Sequence, residues 1–240
     1  MATPKLRNPP IVEAVCELRW TGGSSYSLVP GTMRELIREK FPEIEILPSA
    51  MLPIGITIEG LPPIPHHRFK SRTPNALVQT GPGLLSVNVL PSYPGFEVFR
   101  DLILYVVEKY RKAIGSDGLS RIGLRYVNHM QATEQKIEIA NFFKIAVQYP
   151  LTLPHPPREV SSRVVLTATT EGTLALAVAL PAQVGQGPYG ALLDLDLFWE
   201  PPKDYNLDDF PRWLDEAHST IYQAFMSTIA DDLLDKMRGG

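Results

Sequence analysis

Two aspartates two positions apart, Asp194 and Asp196, stand on one face of an alternating segment. In an extended strand such residues lie about 7 Å apart along the chain. A carboxylate pair of this kind can hold a divalent cation or move protons, and Glu17 would complete a metal-assisted hydrolase. Alternation also places Arg19 and Arg125 on that sheet face, and cross-strand ion pairs are the ordinary use of such a mixture. Its functional form is a charged floor for a ligand or partner, to which Ser86 and Asn88 contribute polar groups. His129 lies at a strand end, a common functional position, but no nucleophile accompanies it.

The other histidines are weaker signals. His66-His67 sits among prolines, which reads as a surface loop, without a third ligand at metal spacing. His218 borders an apolar helical stripe and reads as a helix-edge histidine with a local hydrogen bond. Cys16, the single cysteine, excludes an internal disulfide and alternates inward, where its thiol stays protonated and inert. Glycine-rich phosphate loops, a Gly-x-Ser-x-Gly elbow and a His-Glu-x-x-His zinc helix are all missing. No catalytic residue, metal site or cofactor is therefore assigned.

Ala175, Ala177 and Ala179 share the helix-free face. Small side chains over a sheet admit another backbone, so this face is either solvated or a protein-binding or dimer surface. A second constellation is aromatic. Trp20, Tyr126, Tyr222, Phe225 and His218 are the residues that would line an apolar pocket between sheet and C-terminal helix.

The elements that position these groups follow from periodicity. Val12–Trp20 alternates, with Ala14, Cys16, Leu18 and Trp20 inward. A short helix over Met33–Phe41 ends at Pro42, and an apolar segment, Ile54–Ile58, follows. Strands are expected at His67–Lys70, Ala76–Thr80 and Leu84–Leu90, separated by turn signals. Phe96–Ile114 is a helix with one apolar stripe. Arg121–Met130 alternates again; a short helix is compatible with 135–147, and Pro150–Pro157 is an extended connector. Val160–Thr169 and Thr173–Leu180 form a hairpin, and Ala191–Glu200 a further strand. A last helix runs from a cap at Asp208 or Asp209 to Met237, with a stripe wide enough to suggest a partner subunit.

This order is strand, helix, strands, helix, used twice. Leu18-Arg19-Trp20 matches Leu124-Arg125-Tyr126, and Phe96-x-x-Phe99-x-Asp101 matches Phe210-x-x-Trp213-x-Asp215. The expected fold is α+β: one domain over 1–240, an antiparallel sheet with long helices on one face, and pseudo-repeats 8–116 and 119–238. The element order resembles that of TATA-box-binding-protein-like and helix-grip folds.

Composition limits the function classes. The 240 residues carry 23 basic and 26 acidic side chains, a net charge of −3, and 44% are hydrophobic, enough for a real core. That balance, with no basic run or aromatic-basic strand, argues against nucleic acid. The longest uncharged run, 172–193, is broken by Pro181, Gly185, Gly187 and Pro188, so it reads as two strands and not a membrane span. The N-terminus lacks an apolar signal segment, and the expectation is a cytoplasmic protein without membrane contact.

Asn8-Pro9-Pro10-Ile11-Val12-Glu13-Ala14-Val15, Leu124-Arg125-Tyr126-Val127-Asn128 and Trp213-Leu214-Asp215-Glu216-Ala217-His218 together resemble a sporadically distributed family of uncharacterised bacterial proteins of about this length. That resemblance implies an accessory role in mobile or defence-type gene clusters and no particular chemistry. The leading expectation is a non-enzymatic module that binds a protein partner or forms a homo-oligomer. The alternative is the apolar ligand pocket, with the metal-assisted hydrolase behind it.

Overall fold

The computed structural model describes residues 6–21, 26–51, 63–114, 118–132, 138–146 and 157–239. The expected segment at 54–58 and nearly all of the 150–157 connector lie outside them.

Nine strands form one antiparallel sheet. In chain order they are β1 (Ile11–Trp20), β2 (Glu43–Ile46), β3 (His67–Ser71), β4 (Ala76–Gly81), β5 (Leu84–Val89), β6 (Leu119–Gln131), β7 (Val160–Thr169), β8 (Gly172–Gln183) and β9 (Tyr189–Trp199). In space the order is β2-β3-β4-β5-β1-β6-β9-β8-β7, with β1 and β6 side by side at the centre. Helices α1 (Val29–Ile37), α2 (Phe96–Ile114), α3 (Phe210–Thr228) and α4 (Asp231–Arg238) complete the fold.

The alternation explains the layers. Ala14, Cys16 and Leu18 of β1 register with Tyr126, Leu124 and Ile122 of β6, and all are buried beneath the helices. Leu195 and Leu197 of β9 extend this inward row. Met33 and Ile37 of α1, Phe99, Ile103 and Val106 of α2, and Trp213, Leu214 and Ile221 of α3 join the same core. Burial of a large apolar side chain stabilises by about 1.5–3 kcal/mol, so this layer holds the helices to one face. The other face carries Glu13, Glu17, Arg19, Arg121, Arg125, Asp194 and Asp196, as their register with one another requires.

Helices α2 and α3 run antiparallel. Arg100 near the start of α2 grips Asp215 through Nε and Nη2 at 2.6 and 3.0 Å, whereas Arg111 near its end reaches Asp208 at 2.8 Å. Trp213 Nε1 donates to the Glu171 carbonyl at 2.9 Å, tying α3 to the β7–β8 turn.

Four expectations need correction. The last helix is not continuous: Ile229 and Ala230 are extended, and the chain breaks into α3 and α4. Tertiary backbone bonds replace the helical ones there, from Lys144 N to Thr228 O and from Ala230 N to Phe142 O. The same packing confines 135–147 to a single 3-10 turn, Ile139–Asn141, among the described residues. Asp209 holds the N-cap position of α3, one of the two expected, but without a side-chain cap bond; Asn206 accepts from Asp208 N ahead of it instead. His66 is buried, not on a surface loop: its N–H donates to Thr80 O, and its ring packs edge-on against Tyr26. β2 was missed because its four residues pair only at the sheet edge, mostly exposed.

Candidate functional site

A cavity of about 630 Å³ opens between the sheet and the α2–α3 pair. Its floor is Tyr126 and Asn128 of β6 with Leu195 of β9. One wall is the start of α2 with the preceding turn, Tyr93 to Glu97. The opposite wall is His218, Ile221, Tyr222 and Phe225 of α3, at i, i+3, i+4 and i+7 spacing along one helical face. The N-terminal arm, Leu6 to Ile11, closes the remaining side. Arm and helix are joined where Arg7 N and Asn8 N both point to Met237 O in α4, at 3.1 and 3.4 Å.

A chain of three polar side chains crosses this apolar space. Tyr93 Oη lies 3.2 Å from Tyr126 Oη, which lies 3.2 Å from His218 Nδ1. The His218 ring is stacked on Phe96, with centroids 3.7 Å apart and planes within 6°. Burial between these aromatic rings pushes the His218 pKa down to about 4, despite the opposing pull of Glu97 and Asp215. The imidazole is therefore neutral at pH 7. Burial also raises both tyrosines, so their phenols keep their protons.

Each neutral member can donate one proton and accept another. The chain therefore runs from Tyr93 through Tyr126 to His218, or in reverse. In the first sense Nε2 of His218 is a donor; in the second it is an acceptor. That Nε2 atom takes no hydrogen bond among the described residues. Asn128 uses Nδ2 to donate to the Tyr126 and Leu193 carbonyls at 3.3 and 3.2 Å, and its Oδ1 is unbonded. The cavity thus has apolar walls and, among the described residues, open hydrogen-bonding positions at His218 and Asn128.

The charged floor on the other face is occupied internally. Arg125 donates through Nε and Nη2 to Asp194 at 2.8 and 2.6 Å. Arg121 bridges Glu17 at 2.6 Å and Asp196 at 3.3 Å, and Arg19 bonds Glu17 at 2.8 Å. Gly123 permits this bridge, because a Cβ there would meet Arg121 Nη1 at 2.8 Å. Burial raises the Asp196 pKa against the pull of Arg121 and Arg125. Ser86 donates to Asn88 Oδ1 at 2.9 Å, and Asn88 donates to Glu13 at 2.8 Å. His129 is held by the Ala182 carbonyl, with Nε2 at 3.2 Å. Asp194, Asp196 and Glu17 thus face guanidinium groups, and among the described residues no three His, Cys, Asp or Glu side chains cluster as metal ligands.

Of the aromatic set, Tyr126, Tyr222, Phe225 and His218 line the cavity. Trp20 does not: it packs on Tyr110 at 4.8 Å within the core. Cys16 is buried, and burial pushes its thiol far above the usual range. The residues missed include Tyr93, Phe96, Asn128, Leu195, Ile221 and the arm. The signal for Asn128 was present, since it is a polar residue on an otherwise apolar inward face. No helix among the described residues is long and apolar enough to cross a membrane.

No family model and no curated protein matches the chain. Among solved structures, Methanococcus jannaschii TBP is similar at 13% identity and a TM-score of 0.28, over 89% of this chain and 97% of that one.

Proposed function

We propose that this chain binds a small, largely apolar molecule in the cavity beneath α3, without chemistry of its own. The observation that carries this reading is open polarity inside an apolar space: His218 Nε2 and Asn128 Oδ1 lack partners among the described residues, in a cavity of about 630 Å³. Small-molecule sites span about 300–1,000 Å³, with apolar walls and a few placed polar groups. Both atoms reach solvent, since Tyr205 Oη is the one fully buried side-chain polar atom without a partner among the described residues, so a ligand hydroxyl or carbonyl would take the place of water there.

The test is a fluorescence titration with N-phenyl-1-naphthylamine, an apolar amine whose emission rises out of water. Saturable one-site enhancement is expected, and Ile221→Trp, which fills the cavity, should abolish it. Absence of enhancement, or enhancement unchanged in a folded Ile221→Trp, would refute the reading.

The scaffold reads as a duplicated unit. Supporting this, the strand order mirrors about the β1–β6 pair, with β5, β4 and β3 opposite β9, β8 and β7 and only β2 unmatched. Glu17 also faces Gly123, 106 positions on, the offset that matches Leu18-Arg19-Trp20 to Leu124-Arg125-Tyr126.

A second reading, assembly with another copy, is favoured by β7. This strand is last in the sheet, and Val164, Val165 and Leu166 are each 46–49% exposed. Antiparallel pairing of two copies about Val165 would set Val164 against Leu166 and Arg163 against Thr167, with no like charges opposed. Light scattering should then report twice the chain mass, reverting to the single mass in Val165→Lys; a single mass for the parent chain refutes it. The accessory role in bacterial mobile or defence-type clusters is proposed on the sequence resemblance alone.

A further inference from the structure

Among the described residues the cavity has one cation at its rim, and that cation is unengaged. Arg7 lines the opening, is exposed, and makes no ion pair or side-chain hydrogen bond. Its backbone is fixed by the bond from Arg7 N to Met237 O. Its stem lies along the last turn of α4, where a Cβ on Gly239 would meet Arg7 Cδ at 2.9 Å and Nη1 at 3.3 Å. The carbonyl end of a helix attracts a cation, so this turn holds the side chain without neutralising it. The other charged residue of the lining, Glu97 of α2, already has an interaction partner.

Resting on the pocket reading above, we infer that the ligand is an amphiphile with an anionic end, a carboxylate on an apolar chain or ring system. The apolar body lies between Phe96, Tyr222 and Phe225, and the carboxylate meets the Arg7 guanidinium at the mouth. A guanidinium presents two parallel N–H groups that match a carboxylate. Asn128 Oδ1 and His218 Nε2 then remain for a hydroxyl or carbonyl further along the molecule.

Calorimetric titration with decanoate, decanol and decylamine at pH 7.5 separates the possibilities, because the three share one chain and differ in head-group charge. Decanoate should bind about five-fold more tightly than decanol, the size expected for an ion pair with an exposed arginine. Decylamine should bind more weakly than decanol. Arg7→Gln keeps the stem and its helix contact; it should bring decanoate down to decanol and leave decanol unchanged. Equal binding of decanoate and decanol, tighter binding of decylamine, or an unaltered decanoate affinity in Arg7→Gln would each overturn the anionic assignment while leaving the pocket standing. Failure of all three to bind would overturn the pocket, and this inference with it.

Discussion

Replacing His218 by Phe keeps an aromatic ring against Phe96 and removes the only titrating group on that wall besides Tyr222. The magnitude follows from the burial of the imidazole. Its folded pKa is about 4 against 6.5 for the free side chain. Between those values the unfolded chain binds a proton that the folded chain does not. Stability from neutral His218 is therefore complete above pH 6.5 and is lost as pH falls toward 4. At pH 5 the loss is about 2 kcal/mol, taking 1.36 kcal/mol per pKa unit. With a urea slope of about 3 kcal/mol per molar, the parent midpoint should drop about 0.7 M more than that of His218→Phe between pH 7.5 and 5. His66 and His67 are also depressed by burial, but they titrate alike in both proteins and cancel in the difference. Urea melts of the two proteins at both pH values make the comparison. Parallel pH dependences would refute a buried, neutral His218, and with it the hydrogen-bonded chain through Tyr126.

Three further substitutions test the scaffold. Arg121→Met leaves Asp196 without its direct guanidinium partner and should cost about 2 kcal/mol in urea melts; a loss below half of that would mean the bridge contributes little. Tyr205→Phe removes a buried hydroxyl with no partner, so stability should hold or rise by up to about 1 kcal/mol, and a fall would reveal a partner for that hydroxyl. Gly190→Ala would drive a Cβ into the Met130 carbonyl of the neighbouring strand and should destabilise by about 3 kcal/mol or more; a thermal midpoint unchanged from the parent would contradict the tight β6–β9 approach.

Elements whose pattern is set locally were legible in the sequence. Phe96–Ile114 and Val160–Thr169 match residue for residue, because an uninterrupted stripe and a strand bounded by turns each identify themselves. The sheet faces were equally readable, since period two assigns Arg125 and Asp194 to one side whatever their neighbours. The break at Ile229 was not, because no Pro or Gly marks it and its cause is a backbone segment 86 positions away, at Phe143, that pairs with it. The cavity was half-visible. Tyr126, His218, Tyr222 and Phe225 stand on inward faces, but the turn at Tyr93 and the arm at Arg7 join them only in three dimensions. Trp20 has the same aromatic character as Tyr126, yet Tyr110 fills the space beside it.

Backbone-amide NMR of the labelled chain titrated with N-phenyl-1-naphthylamine tests the pocket most directly. The shifts should concentrate in residues 93–97, 126–128 and 218–225 and saturate together. Shifts confined to β7 or to the charged sheet face, or a spectrum unmoved by the probe, would contradict the account.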